Sequence, residues 1–473
     1  MLTFADVFEA LTGNRVSGAS LIFSEASIDS RQSIPASLFF ALPGERVDGH
    51  DFVEAAFQRG AHAAVIQKDL PLAYPLIDMR QPQALNAIVL PKPPFLLRVA
   101  DSLKALQTIA GFWRRQQNVR VVGITGSVGK STTKELVAEV LSQRYSTLKN
   151  QGNLNNEIGL PLTLLRLGPG HQRAVLEMGF YVPGEIKFLC DLAQPVLGVV
   201  TNVGTVHAER AGSQEAIAHG KAELVQSLPA APDGIAILNY DDPWVRWMAS
   251  QTQAQVFFYG LDPLADLWAD EIESAGLEGI RCRLHHGADA VTLRVPLIGR
   301  HSVHTVLRAA AVGLVEGLTW GEIAEGLQHG HTQLRLVAVH TQNGALLLDD
   351  TYNASPESTL AALNMLSELD GRRIAVLGDM LELGPYEQTG HEMVGVRAAE
   401  VCSELLAVGD LGKLIAAAAI SAGMGAWTVN WVPNVSAAID FLRKQLRAGD
   451  VVLIKGSHSL RMDRIVAALE VSE

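Results

Sequence analysis

Val119-Arg-Val-Val-Gly123-Ile-Thr-Gly126-Ser-Val-Gly129-Lys130-Ser131-Thr132 joins an apolar run to a glycine-rich turn and a Lys-Ser pair. The apolar run reads as a buried strand. From Ser131 to Leu141 the apolar spacing becomes helical, with Leu136, Val137, Val140 and Leu141 on one side. Strand, glycine turn, Lys-Ser and helix make the architecture of a phosphate-binding loop. Glycine lets the backbone approach the phosphates, and the freed amides and the helix N-terminus attract negative charge. Lys130 reaches the outer phosphates, and the Ser131 hydroxyl is a ligand for Mg²⁺. Gly126, Ser127, Gly129, Lys130, Ser131 and Thr132 are therefore the candidate nucleotide contacts. The usual pattern would place its first glycine at position 124, which is Ile124; Gly123 and Gly126 flank it. The loop is a variant form, and a nucleoside triphosphate is its expected ligand.

Around this loop lie 473 residues, too many for one core, which predicts two to four domains. Apolar residues make up 48% and charged ones 19%, the balance of a soluble globular protein. A net charge of −12 argues against a nucleic-acid binder that neutralises phosphates over a broad surface. The cysteines Cys190, Cys282 and Cys402 are far apart and in no metal-ligand spacing, as expected of reduced thiols in a cytoplasmic protein. The first residues carry no basic region and no sustained apolar stretch, so no signal peptide is expected. Leu414 to Ile439 is the longest uncharged-looking stretch. Gly423, Gly425, Asn430, Pro433 and Asn434 interrupt it, and it reads as a short helix, a strand and the next helix start rather than a membrane span.

Strands and helices alternate along most of the chain, which predicts an α/β protein with a mostly parallel, doubly wound central sheet. An α/β amino-terminal domain over 1–98 ends near the proline cluster Pro91, Pro93 and Pro94. A central phosphate-loop domain over 99–331 contains the strands Arg173–Met178, Val196–Thr201 and Gly234–Asn239. Ile280–Val295 alternates about His286-Gly-Ala-Asp289 and reads as an antiparallel hairpin. After Gly330 the rhythm restarts with Leu346–Asp349, Ile374–Leu377, Leu405–Val408 and Val451–Ile454, predicting a Rossmann-like α/β domain over 332–473.

Several polar residues fall at the carboxyl ends of these strands, where open α/β sheets gather ligands. Glu177 ends one strand, and His207 follows another in Thr201-Asn-Val-Gly-Thr-Val-His207. Each suits a metal bound to phosphates, and each suits an ordinary cap. Lys221 lies on a helical stretch and reads from its surroundings as an exposed lysine. Asp349-Asp350-Thr-Tyr352-Asn353-Ala-Ser-Pro356-Glu-Ser358 places two acids together at a strand end, an arrangement that needs cations, ribose hydroxyls or amides. Part of this segment is equally readable as turn chemistry, with Pro356 suited to a first helical turn. Arg335 is a candidate phosphate cation or a plain surface arginine. The histidine pairs 285/286, 301/304 and 329/331 lack further ligands at structural zinc spacing and read as surface or cap residues.

Taken together, these segments resemble the Mur ligase family, ATP-dependent amide ligases of peptidoglycan precursor assembly, over essentially the whole chain. The family loop has the form Gly-x-x-Gly-x-x-Gly-Lys-Thr/Ser, which accounts for the offset glycine. Asp29-Ser30-Arg31 with Leu38 to Phe52, the run Asn150 to Pro161, Asp349 to Ser358, and Gly378-Asp379-Met-Leu-Glu382-Leu-Gly384 with Lys455-Gly456-Ser457 carry the resemblance. It implies a uridine-nucleotide domain, an ATPase core and a carboxyl ligase domain. The implied reaction joins D-alanyl-D-alanine to UDP-N-acetylmuramoyl-tripeptide through an acyl phosphate, giving ADP and phosphate, in a monomer with no nucleic acid and no membrane span. Ser30, Arg31, Gly44, Asn153 and Asn156 would contact the uridine-linked substrate. Lys130 and Arg335 would serve catalysis at the phosphates, with Asp350 reaching ATP. Ser131 and Glu177 would hold one Mg²⁺, and His207 and Lys221 a second, the lysine as a carbamate. A carbamate forms from a neutral amine, so Lys221 is expected to be partly buried near other cations.

Four positions depart from the family pattern. Val128 stands where the loop usually has Asn, and the adenine-side His-Asn-x-x-Asn appears as His301-Ser302-Val-His304-Thr305. His458 stands where the closing segment usually has a basic residue. The alternatives are another amino acid ligase of the superfamily, including a folylpolyglutamate synthase, and a nucleotide-binding protein that has lost ligase activity.

Overall fold

In the computed structural model the described residues are 1–16, 20–44, 47–80, 90–205, 208–329 and 337–470. Their strands form three sheets. The first contains β1 (Ala26–Ser27), β2 (Leu38–Phe40), β3 (Ala63–Ile66), β4 (Leu76–Asp78) and β5 (Phe95–Arg98), in the order β1-β2-β3-β5-β4. Every pairing in it is parallel.

The second sheet has nine strands: β6 (Arg120–Thr125), β7 (Thr147–Lys149), β8 (Arg173–Glu177), β9 (Leu197–Val200), β10 (Ile235–Asn239), β11 (Gln255–Gly260), β12 (Leu267–Ser274), β13 (Ile280–His286) and β14 (Asp289–Val295). Their order is β14-β13-β12-β11-β10-β9-β6-β8-β7. β10, β11 and β12 run parallel, whereas β12, β13 and β14 are antiparallel. The expected hairpin is β13–β14, paired from Ile280↔Val295 to His286↔Asp289.

The third sheet contains β15 (Val337–His340), β16 (Leu346–Asp350), β17 (Arg372–Gly378), β18 (Glu404–Val408), β19 (Val429–Val432) and β20 (Asp450–Lys455), ordered β15-β16-β20-β17-β18-β19. Only β15 pairs antiparallel; the other five strands are parallel. Its inner strands β20, β17 and β18 read as near-continuous apolar runs because both faces are covered, whereas the edge strands β15 and β19 are more exposed. Leu348, Ala375, Leu377, Leu405 and Leu453 enter one core, and Leu347, Ile374, Val376, Leu406, Val452 and Ile454 the other. The period-two alternation of strand side chains makes that division.

By contacts the chain divides into two units. The first comprises Met1–Gly123, Tyr145–Gly179 and Glu185–Leu197. In it, the helix Ser102–Arg115 packs against the helix Gly159–Leu165, with Trp113 Nε1 donating to Leu167 O at 2.9 Å. The second comprises Ile124–Arg144, Phe180–Gly184 and Gly198–Glu473. The stretch 414–439 resolves into the end of the helix Gly412–Ser421, β19 and the start of the helix Val435–Gln445. Among the described residues no helix is long and apolar enough to cross a membrane.

Candidate active site

The phosphate loop lies in the second unit, between the end of β6 and the helix Lys130–Ser142. Gly126 has φ 144° and Gly129 has φ 83°, conformations that L side chains rarely adopt. Sterics add to this at Gly126, where a Cβ would overlap the Thr201 hydroxyl. These two glycines leave an open backbone cradle at the start of a helix of 13 residues, the arrangement that suits a phosphate chain.

The loop is fixed from the strand end that follows β9. Val128 N donates to Asn202 Oδ1 at 2.9 Å, and Thr201 Oγ1 donates to Val128 O at 2.8 Å. Ser127 N donates to Asn202 O at 3.0 Å, and Ser127 Oγ accepts from Gly204 N at 2.9 Å. Val128 is thus held by its backbone, so the loop keeps its shape without the side-chain amide usual at that position. Thr201 and Asn202 stand in the same segment as His207, and no sequence pattern singles them out. Lys130 Nζ donates to Gly126 O at 2.8 Å and Ser127 O at 3.3 Å, so its ammonium lies against the cradle.

Lys221 is 1% exposed, on the helix Gln214–Gln226, with its Nζ 4.7 Å from the Phe180 ring centre. The reading of it as an exposed helix lysine fails. Burial, reinforced by the charge of Lys130, pushes its pKa well below the ordinary lysine value. Its burial beside a second cation agrees with the expectation drawn for a carbamate-forming lysine.

Sequence reading passed over Arg308. It lies in the helix Val303–Val315, is 5% exposed, and donates to Thr133 Oγ1 at 2.6 Å. A Cβ on Gly129 would stand 3.0 Å from its Nη1. Its guanidinium lies 5.8 Å from the Tyr259 ring centre, its Nε is buried without a partner, and burial lowers its pKa; among the described residues no carboxylate pairs with it. An arginine inside Val-Leu-Arg-Ala-Ala-Ala-Val was the available signal. A buried cation without a counter-ion costs stability and raises the potential at the loop. Arg308→Met should therefore keep or raise the melting temperature while weakening affinity for a Mg²⁺-free nucleoside triphosphate about tenfold. Calorimetric titration beside a melting curve checks both; unchanged affinity would rule the arginine out of phosphate binding.

In the first unit, Glu177 closes β8 and is 2% exposed. Asn155 Nδ2 donates to its Oε1 at 2.8 Å, and the buried Asn150 binds its backbone on both sides. Asn156 Oδ1 accepts from the amides of Gly159 (2.9 Å) and Ile158 (3.3 Å), so it caps the following helix. Asn153 is exposed. Ser30 is buried, Arg31 is exposed and paired with Asp29, and Gly44 stands where a Cβ would meet Val47 O at 2.6 Å.

The acidic segment after β16 divides its labour. Asp349 Oδ1 accepts from Thr351 N and Oγ1, which is turn chemistry. Asp350 is paired at 2.6 Å with Lys455, which is 3% exposed and its register partner on β20. Ser355 and Ser358 form a capping box, with Pro356 in the first turn of the helix Pro356–Ser367. His285 accepts or donates at Asp270 Oδ1, His304 at Asp241 Oδ2, and Ser302 Oγ donates to Ile298 O. His207 and Arg335 lie outside the described residues, as do Glu45 and Arg46 of the amino-terminal motif. Burial pushes the thiols of Cys282 and Cys402 up to about 11 and about 12, which leaves them unreactive near neutrality.

Three α/β sheets and a phosphate loop define a nucleoside-triphosphate-binding enzyme scaffold. Three family descriptions match it in order: "Mur ligase family, catalytic domain" over 23–114, "Mur ligase middle domain" over 124–313, and "Mur ligase, glutamate ligase domain" over 334–458. The chain belongs to the Mur ligase family. It is 36% identical to the UDP-N-acetylmuramoyl-tripeptide–D-alanyl-D-alanine ligase of Synechocystis, over 93% of this chain and 90% of that one. The crystal structure of MurF from Acinetobacter baumannii superposes with a TM-score of 0.83 at 28% identity, covering 98% and 97% of the two chains. The MurF ligase of Thermotoga maritima in complex with ADP gives 0.77 at 26%, covering 97% of each.

Proposed function

We propose that this chain is an ATP-dependent amide ligase that joins D-alanyl-D-alanine to UDP-N-acetylmuramoyl-tripeptide, releasing ADP and phosphate, in peptidoglycan precursor synthesis. The observation that carries this reading is the glycine cradle with the Lys130 ammonium against it, in a unit that also buries Lys221. The full-length similarity to ligases bearing that name supports the choice of substrates.

ATP fits the cradle, because the positive-φ backbone of Gly126 and Gly129 turns the loop at a helix start and Lys130 already lies against it. Mg²⁺ fits the donor chemistry: the Ser131 hydroxyl and Glu177 carboxylate are hard oxygen ligands, and His207 with carbamylated Lys221 would complete a second position. When bound, the metal neutralises charge on the phosphate oxygens.

A carboxylate is a poor electrophile, so the peptide carboxylate first attacks the γ-phosphorus. An O–P bond forms as the bond to the β-phosphate oxygen breaks, leaving an acyl phosphate and ADP. Lys130 and Arg335 spread the negative charge that develops, and Arg308 adds a fixed positive charge behind the loop. Asp350, beside Lys455, reaches ATP from the carboxyl-terminal region. The dipeptide amine then attacks the acyl carbon; the C–O bond to phosphate breaks and the nitrogen loses a proton. Ser30, Arg31 and Gly44 hold the uridine end of the substrate, and Asn153 and Asn156 lie toward its peptide. The domains divide near residues 98 and 331.

A phosphate-release assay tests the reading. Release should require ATP, the UDP-muramoyl-tripeptide and D-alanyl-D-alanine together. Nucleotide binding without dipeptide-dependent release would overturn it in favour of a protein without ligase activity.

A further inference from the structure

Glu357 takes no part in the reaction outlined above, yet it grips the segment that shapes the phosphate loop. It lies in the first turn of the helix Pro356–Ser367, within the region matched by the glutamate ligase domain. Its Oε1 accepts from Thr205 N at 2.8 Å and from Thr205 Oγ1 at 2.9 Å. Both acceptor bonds are charge-assisted and stronger than neutral ones. Thr205 belongs to the middle-domain region, at the end of Thr201-Asn-Val-Gly-Thr205.

Every other residue of that segment is also engaged. Thr201 and Asn202 bind Val128, and Gly204 N donates to Ser127 Oγ. Val203 N donates to Asp242 Oδ2 at 2.8 Å, and Gln214 Nε2 donates to Val203 O at 2.9 Å. The segment is a stiff strut between the phosphate loop and Glu357. Packing at Gly204 is close enough that a Cβ there would stand 2.8 Å from the Glu357 carboxyl carbon.

A second grip follows four residues on. Glu209 N donates to Glu382 O at 3.4 Å, and Glu382 holds φ 64°, a left-handed conformation in a residue with a side chain. Such strain persists where surrounding contacts hold it in place. The carboxyl-terminal region thus holds the chain on both sides of position 207 in sequence.

We infer that Glu357 is a positioning residue: by holding Gly204 and Thr205 it keeps Ser127 and the phosphate loop in their working shape, coupling the carboxyl-terminal region to phosphate chemistry. The inference rests on the ligase reading for its kinetic test and on the hydrogen bonds alone for its structural one.

The experiment uses the full chain in four forms: Glu357→Ala, Gly204→Ala, their combination, and Glu357→Gln. The alanine at 204 needs no unusual backbone angle, so its effect comes from pushing the Glu357 carboxylate off Thr205. Each single alanine variant should lower kcat about tenfold, with KM for the uridine-linked substrate within about twofold of the parent. The double variant should match the singles, because both changes break the same link. Glu357→Gln keeps one carbonyl oxygen for Thr205 and should recover part of the loss. Amide hydrogen exchange over 201–205 should accelerate in all three alanine forms. Losses that multiply in the double variant, or a Glu357→Ala enzyme with parental kcat, would overturn the inference. A parent that releases no phosphate sinks the ligase reading instead. The exchange data then decide alone, and unchanged exchange in Glu357→Ala and Gly204→Ala would dismiss the link.

Discussion

Lys221→Ala should abolish dipeptide-dependent phosphate release, with turnover falling at least about a hundredfold, while the protein stays folded. The lysine is 1% exposed, and the charge of Lys130 bears on it. A protonated amine there is poorly solvated and repelled, which shifts the lysine toward the neutral form that reacts with CO₂. Depleting bicarbonate should lower turnover of the parent enzyme, and adding it back should restore the rate. Full activity in the alanine variant would refute the carbamate role. Stability should move in the opposite direction. The folded-state pKa is depressed, so between it and the unfolded value near 10.5 the unfolded chain binds the extra proton. Stability therefore rises with pH through that window. Lys221→Met in bicarbonate-free buffer should be more stable than the parent at neutral pH, and the gain should vanish above about pH 10.5. Melting temperatures of both proteins across pH 6–11 test the sign.

Gly126→Ala should be almost as damaging, through geometry rather than charge. The residue sits at φ 144°, and an added Cβ would overlap the Thr201 hydroxyl. Backbone strain of about 1–3 kcal/mol adds to the loss of the bond from Thr201 Oγ1 to Val128 O. The loop must shift, and the amides that face the phosphates shift with it. Affinity for ATP should fall about tenfold and turnover about a hundredfold. Adding Thr201→Ala should restore part of the affinity, since the hydroxyl is the nearest atom to the new methyl. Affinity equal to the parent in Gly126→Ala would mean that the cradle does not bind the phosphates through this backbone.

Much of this architecture was legible in the sequence because its strands are apolar and β-branched and its helices amphipathic. β9 and β10 fall within one residue of the expected Val196–Thr201 and Gly234–Asn239, and the hairpin β13–β14 follows its alternation. β12, Leu-Trp-Ala-Asp-Glu-Ile-Glu-Ser, was not read as a strand, since its acidic half suits a loop. β1 and β4, of two and three residues, are too short for any period to register. The phosphate loop announced itself because its chemistry is contiguous. Arg308 and Glu357 act across 175 and 152 positions, on Thr133 and Thr205 respectively, and no local pattern encodes such a contact. Lys221 shows the same limit: helical spacing located it but gave no measure of its burial.

The sheet order β15-β16-β20-β17-β18-β19 has a consequence for how this chain is made. β20, which begins at Asp450, lies between β16, which ends at Asp350, and β17, which ends at Gly378, so both neighbours are made well before it. β16 can pair with β15 and β17 with β18 beforehand, but the two halves of the third sheet stay unjoined until β20 has been made. Long-range parallel pairing of this kind forms slowly and leaves strand edges open meanwhile. A nascent chain stopped before Asp450 would keep β16 apart from β17 and leave Asp350 without Lys455. The charge pair between Asp350 and Lys455 is thus also the mark of a joined sheet.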